Sequence, residues 1–264
     1  MALRLLVTRP QPQADAWVAR LREHAVDALA LPLLAIDAMV DLSTLHAAWH
    51  DLPRYALVMF VSPNAVSHFF AARPAELAAR GWPAGVRAGA TGPGTLQALQ
   101  VAAVPAALCV APPADAAQFD SAALWAQLRG QSWAGREVLV LRGDGGRDEF
   151  AALLRSAGAA VHFTQAYRRG PAQWTAAEHA TLARAITQPA AHLWWLSSTE
   201  ALGYLPPLTR HSDWRAAQAL ASHPRIAARA RELGFGQVFE APPTLPAVCA
   251  SLAQIEACLQ SAPP

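Results

Sequence analysis

The sequence predicts a doubly wound α/β architecture in two copies, on three observations. Short continuous apolar runs, such as 57–61 (LVMFV) and 138–141 (VLVL), alternate with stretches of helical periodicity, as in parallel sheets buried on both faces. The chain repeats itself: Arg9 and Arg142 lie 133 residues apart (142 − 9), and at that spacing, without a gap, Trp17 falls on Phe150, Leu21 on Leu154 and Leu34 on Tyr167. Hydroxyl residues recur at the ends of equivalent apolar runs: Ser62 with Ser197, an offset of 135 (197 − 62), and Thr91 with Ser222, an offset of 131 (222 − 91).

The first unit reads as strand Leu3–Val7, then Thr8-Arg9-Pro10, then a helix with Ala14, Trp17, Val18 and Leu21 on one face, then strand Val26–Leu31. After Leu31–Ile36 a new region begins. Its strand 57–61 ends in Ser62-Pro63-Asn64, and the next helix carries Val66, Phe69 and Phe70. Strand Val86–Ala90 ends in Thr91-Gly92, and Pro93 suits the first turn of a helix with Leu96 and Leu99. Ala106–Val110 is a further strand, Pro112-Pro113 a loop, and Phe119–Leu128 a helix with Leu124, Trp125 and Leu128 inward.

The plan then restarts. Strand Val138–Leu141, the turn Arg142–Gly146, a helix with Phe150, Leu153 and Leu154, a stop at Gly158, and strand Ala160–Phe163 form one unit. Tyr167-Arg168-Arg169-Gly170 leaves it as a basic crossover, so Tyr167 is expected outside a strand. Helix Thr175–Ile186, strand Leu193–Leu196 ending in Ser197-Ser198-Thr199, strand Ala217–Ala221 ending in Ser222-His223-Pro224-Arg225, a helix stopping near Gly234, strand Gln237–Glu240 and helix Leu245–Leu259 complete the chain.

Composition narrows the chemistry. With 53% hydrophobic and 15% charged residues over 264 positions, the chain can bury substantial cores. A net charge of +2 gives no argument for nucleic acid. Every basic side chain is Arg and there is no Lys, which excludes a Schiff-base lysine, a pyridoxal-phosphate site and a P-loop lysine. Cys109, Cys249 and Cys258 form no CxxC pair, and neither a signal peptide nor a membrane-length apolar run is visible, so a cytoplasmic protein is expected.

Motif searches are mostly negative. Gly92-Pro93-Gly94-Thr95-Leu96-Gln97 opens like a dinucleotide loop, but Gln97 stands where the third glycine belongs. The nine histidines show no metal spacing, and His223, in a strand-end loop, reads more simply as a satisfied polar residue. No nucleophile elbow is present. What remains is positional. In parallel α/β sheets ligands bind beyond the carboxyl ends of the strands, and Ser62, Thr91, Ser197 and Ser222 fall there beside helix starts, where free N–H groups favour anions. Helix capping alone accounts for one such serine better than for four. Arg9 and Arg142 read either as structural ion pairs or as forks for carboxylates, and Tyr167 either as a buried linker aromatic or as a phenol donor. Two facing domains would line a cleft suited to a large anionic ligand.

The stretches LVTRPQPQADAWVARLR, FVSPNAVSHF, AGATGPGTLQAL, VLVLRGDGGRDEFAALLRSAGAAVHFTQAYRR, WLSSTEAL and ASHPRIAARARELGF resemble, in order and over nearly the whole chain, the uroporphyrinogen-III synthase family. The resemblance implies two flavodoxin-like doubly wound domains joined by a two-stranded linker. One domain would comprise residues 1–36 and 171–264, the other 40–166, with linkers near 37–39 and 167–170. It implies cyclisation of hydroxymethylbilane to uroporphyrinogen III, with loss of water and inversion of ring D through a spiro-pyrrolenine, without metal or organic cofactor. That substrate carries eight carboxylates, and the enzyme would work mainly by orienting it. By the same resemblance Tyr167 is the candidate acid for the departing hydroxyl of ring A. Arg9, Ser62, Asn64, Thr91, Gly92, Arg142, Ser197, Ser198 and Ser222 are the candidate substrate contacts. The resemblance also implies a monomer, with no nucleic-acid or membrane partner and a transient contact with hydroxymethylbilane synthase.

Two departures matter. Val61 and Leu196 stand where the family often has Thr before the strand-end serine, and Ser222-His223-Pro224-Arg225 replaces a glycine- and threonine-bearing loop. They put one hydroxyl seat per domain in question. An inactive synthase-like protein, or a two-domain sensor that closes on a small ligand, remains the alternative.

Overall fold

The structure, a computed structural model, describes residues 3–113, 121–145, 148–210 and 213–261. The chain divides into two compact units, Met1–Ile36 with Gly170–Pro264, and Asp37–Arg169. It opens with β1 (Arg4–Val7), α1 (Gln13–Glu23), β2 (Ala28–Ala30) and β3 (Leu34–Ala38). The second unit continues with α2 (Ser43–His50), β4 (Tyr55–Phe60), α3 (Pro63–Ala71), β5 (Arg87–Ala90), α4 (Pro93–Val101), β6 (Cys109–Val110), α5 (Ser121–Leu128), β7 (Glu137–Arg142), α6 (Glu149–Ser156) and β8 (Ala160–Gln165). After β9 (Tyr167–Pro171) the chain returns through α7 (Ala176–Thr187), β10 (His192–Leu196), α8 (Thr199–Thr209), β11 (Gln218–Ala221), α9 (Pro224–Glu232), β12 (Gln237–Glu240) and α10 (Leu245–Ser261).

Two five-stranded parallel sheets result, in the orders β12-β11-β10-β1-β2 and β6-β5-β4-β7-β8, and β3 pairs with β9 as a two-stranded sheet. The two orders match once β1 and β2 are equated with β7 and β8, and β10, β11 and β12 with β4, β5 and β6. Each sheet therefore takes two strands from one sequence repeat and three from the other. In the first sheet alternate residues feed opposite faces. Leu6, Trp194 and Leu196 join the core with Leu182, Leu202, Leu205 and Ile226 from α7, α8 and α9. Leu5, Val7, Leu193 and Trp195 join the core with Val18 and Leu21 from α1 and Val248, Leu252 and Ile255 from α10. Both faces are covered, which is why these strands read as unbroken apolar runs. In the second sheet Leu57, Met59, Val138 and Val140 pack against Leu124 and Leu128 of α5 and Phe150 and Leu154 of α6.

Several expected elements are altered. The strand expected over Val26–Leu31 is only Ala28–Ala30, an edge strand with β1 as its neighbour. The strand expected over Ala106–Val110 begins as a 3₁₀ turn at Ala106–Leu108 behind Pro105, and only Cys109–Val110 pairs. Alanines and leucine without a β-branched residue hold a strand weakly. Leu153, expected inward, is 36% exposed. The stripe on α6 is Phe150, Ala151 and Leu154, and Leu153 lies roughly 100° round the helix from its centre. Tyr167, expected outside a strand, is the first residue of β9. Phe119 and Gly146 lie outside the described residues. No helix among the described residues is long and apolar enough to cross a membrane, and no group of three or more His, Cys, Asp or Glu stands together as a metal site there.

Candidate functional site

All strands of the second sheet run parallel, so the carboxyl ends of β4, β5 and β7 lie along one edge and carry Ser62, Thr91 and Arg142. Ser62 is the N-cap of α3: its backbone is extended, Pro63 starts the helix, and its Oγ accepts the Ala65 N–H at 3.2 Å. Thr91 Oγ1 donates to the Val61 carbonyl at 3.2 Å, stapling β5 to the residue beside Ser62. Gly92 caps α4 with extended backbone, and Asn64 is half-buried in the first turn of α3. Arg142 pairs with Asp148 at 2.5 Å and lies over the Phe163 ring, 4.1 Å from its centroid. A cavity of about 170 Å³ opens here, lined among others by Val61, Thr91, Arg142, Gly143, Phe163 and Arg169.

Tyr167 is the centre of this edge. Its side chain is fully buried, against the backbone of Gly143, where a Cβ would stand 2.5 Å from the tyrosine Cε2. The phenol oxygen lies 3.1 Å from Ser62 Oγ and accepts from Arg169 Nη2 at 3.0 Å. The His68 ring stacks beside it, with centroids 5.7 Å apart and planes at 29°. Burial lowers the His68 pKa, partly opposed by the charge of Asp37, so the ring is neutral near pH 7. Asp144, in the turn after β7, accepts the Arg169 backbone N–H at 3.0 Å and also the Gln165 side-chain amide. That amide reaches the Tyr167 carbonyl at 3.2 Å. The turn after β7 and the strand that carries the phenol are thus tied together on both sides of Tyr167.

The equivalent edge in the first unit carries Arg9, Ser197, Ser198 and Ser222 past β1, β10 and β11. The Arg9 guanidinium lies 5.3 Å from the centroids of both Trp17 and Trp195, and Nη1 reaches Gln13 Oε1 at 3.4 Å. No acid pairs with it among the described residues, its Nε is buried without a hydrogen-bond partner, and burial lowers its pKa. Arg142, its counterpart in the repeat, has a structural ion pair instead. Ser198 caps α8 and accepts the Ala201 N–H at 3.2 Å; Ser197 and Ser222 are half-buried, and the Ser222 N–H donates to the Leu196 carbonyl at 2.9 Å. His223 caps α9 by accepting the Arg225 N–H at 3.1 Å, as a satisfied polar residue.

One pairing needs correcting. Ser62 and Ser198, not Ser62 and Ser197, are equivalent, because each follows its strand in the same place and accepts from the third residue on. Ser197 then occupies the place of Val61, so the second repeat has a hydroxyl at both positions, and the departure read at Leu196 disappears. Arg169, Asp144, Gln165 and His68 were not singled out by the sequence. Arg169 had a signal, since it lies two residues past Tyr167 and a strand returns to the same face with period two. His68 and Asp144 had none, because a ring stack and a turn-to-strand tie are made only in the fold.

Residues 15–249 match the family model described as uroporphyrinogen-III synthase HemD. The chain is similar to the uroporphyrinogen-III synthase of Salmonella typhimurium, 32% identical over 67% of this chain and 69% of that one. It is similar to the Escherichia coli uroporphyrinogen-III synthase as well, 30% identical over 89% of this chain and 93% of that one. Among solved structures, a mutant uroporphyrinogen III synthase of the extremely thermophilic bacterium Thermus thermophilus shares the fold at a TM-score of 0.55 and 16% identity, over 99% of this chain and 100% of that one. The uroporphyrinogen-III synthetase of Helicobacter pylori 26695 shares it at 0.54 and 15%, over 97% and 100%.

Proposed function

Because the chain belongs to the uroporphyrinogen-III synthase family, we propose that it closes linear hydroxymethylbilane to uroporphyrinogen III, losing water and inverting ring D through a spiro-pyrrolenine. The observation that carries this reading is the family match over residues 15–249, which contain a buried phenol with its oxygen engaged at a strand-end edge. Departure of the ring A hydroxyl requires a proton at that oxygen. Tyr167 supplies it as general acid, and the oxygen leaves as water with the electron pair of the broken C–O bond. In the structure Ser62 Oγ holds the position next to the phenol, so the departing oxygen meets Tyr167 there, in place of or beside that hydroxyl. The resulting azafulvene is attacked by ring D, and the protein's part from then on is to hold the chain's ends in the geometry of closure.

The substrate's carboxylates need donors. In the second unit these are Ser62, Thr91, Arg142, the amide of Gly92 and the side chain of Asn64; in the first they are Arg9, Ser197, Ser198 and Ser222. Arg9 is the strongest of them, a partly buried cation with an unused Nε donor, which a carboxylate would satisfy. The reading carries with it a cytoplasmic monomer that receives unstable hydroxymethylbilane in a transient contact with the synthase that makes it.

The test is a coupled assay in which hydroxymethylbilane is generated in situ and the uroporphyrin isomers are separated after oxidation. Protein-dependent isomer III is expected; isomer I alone from a folded sample overturns the reading. Tyr167→Phe should lower turnover by roughly a hundredfold or more, the scale of a lost general acid, while keeping the native circular dichroism. Unchanged turnover removes Tyr167 from the mechanism.

A further inference from the structure

Arg169 lies outside every role assigned above, yet it contacts the proposed acid directly. Its Nη2 donates to the Tyr167 oxygen at 3.0 Å, and its Cζ lies 5.4 Å from the Tyr167 ring centroid. A guanidinium can only donate. The phenol has one hydrogen, and with Arg169 donating to the oxygen that hydrogen is free to be directed at Ser62 Oγ, 3.1 Å away, a contact in which either oxygen can be the donor. Ser62 Oγ already accepts from Ala65, so it is held in place by the helix start. The backbone that presents Arg169 is fixed in turn: Asp144 accepts its N–H at 3.0 Å and, through Gln165, grips the Tyr167 carbonyl.

We propose that Arg169, anchored by Asp144, is a positioning residue for Tyr167: it turns the phenol hydrogen toward Ser62 and balances the charge left when that proton departs. The inference rests on the acid role proposed for Tyr167. In the step it serves, the phenol O–H bond breaks and the proton goes to the departing hydroxyl. The C–O bond breaks with its electron pair going to water, and the phenolate remains on the Arg169 guanidinium. The proton released when the last-joined pyrrole regains aromaticity restores the phenol. Nothing outside the substrate and these side chains is consumed. Arg169 also borders the cavity beside Thr91 and Arg142, so a competing role as a seat for a substrate carboxylate makes the opposite kinetic prediction.

The experiment is isomer-resolved kinetics of the full chain carrying Arg169→Met, Arg169→Lys, Asp144→Asn, Tyr167→Phe and the double variant Tyr167→Phe/Arg169→Met. Expected for Arg169→Met is a fall in kcat of roughly tenfold or more, the scale of a hydrogen bond to a charged group, with KM within about twofold. Arg169→Lys should recover part of the loss because the charge returns, and Asp144→Asn should follow Arg169→Met more weakly. The double variant should be no slower than Tyr167→Phe alone, since Arg169 acts only through the phenol. A raised KM at unchanged kcat, or losses that multiply in the double variant, overturns the proposal and assigns Arg169 to the substrate. Thermal melts of each variant separate these outcomes from misfolding, and Arg169→Lys keeps the test open if Arg169→Met does not fold. Wild-type protein yielding only isomer I is a different failure, that of the synthase reading itself.

Discussion

Gly143 is a glycine because of what lies on it. Its φ is not the constraint; a Cβ there would stand 2.5 Å from Cε2 and 2.7 Å from Cζ of Tyr167, both ring atoms of a fully buried side chain. Gly143→Ala must therefore push the phenol, and overpacking of that kind costs roughly 1–3 kcal/mol. The expected result is a lowered melting temperature together with a fall in isomer III turnover; a normal rate would show that the ring's position is not critical. Its neighbour His68 makes a separate prediction. Burial depresses the folded-state pKa below the ordinary 6.5, with Asp37 opposing, so the unfolded chain binds the proton more readily. The stability this group contributes is complete above about pH 6.5 and is lost as pH falls toward its folded pKa. His68→Gln should flatten the decline in urea stability on going from about pH 7 to about pH 5, and an unaltered decline would place that acid sensitivity elsewhere. From sequence, Tyr167 was identifiable as a candidate only through its place in a recognisable motif. Its seat on Gly143 and its contacts with Ser62 and His68 were not, because they join residues up to 105 positions apart.

Helix starts show how one residue type serves two purposes. Thr175 forms a capping box with Glu178, each side chain bonded to the other's backbone N–H. Thr175→Ala should cost about 1 kcal/mol of stability and leave turnover unchanged, measured by chemical denaturation alongside the isomer assay. Ser62 and Ser198 cap α3 and α8 in the same way, but only Ser62 has a phenol on its oxygen. The repeat is broken at the strand as well: the residue equivalent to Tyr167 is Leu34, the first of β3. The second unit therefore holds the phenol, and the first holds Arg9, which has no acid partner among the described residues. Elements with long apolar or amphipathic runs, such as β7, β10 and α1, were legible because local pattern and tertiary burial agree. Two others were not. Of the strand expected over Ala106–Val110 only Cys109–Val110 forms, and the helix Thr199–Thr209 was missed because it contains Pro206 and Pro207, which argue against a helix in sequence but sit near its end.

At the scale of the molecule, each sheet is built from both halves of the chain. β1, with β2 at its side, pairs onto β10, and β7, with β8 at its side, pairs onto β4. A break after Gly130 separates those partners, so residues 1–130 and 131–264 should each lack a cooperative transition when expressed alone. Co-refolded, they should recover one together with isomer III activity. A half that melts cooperatively by itself would contradict this pairing. Local pattern was enough to specify the kind of structure: apolar runs made parallel strands, periodic stretches made covering helices, and the repeat made two copies of one plan. It also brought hydroxyls and arginines to strand ends, since residue type and spacing set those features. Long-range contacts were needed to settle which repeat's strands lie side by side. They also settled that a phenol is buried against a glycine and a serine from other elements. Those outcomes join residues far apart in the chain, and pairing within or across repeats buries apolar strands of the same pattern, so no local signal distinguishes the two.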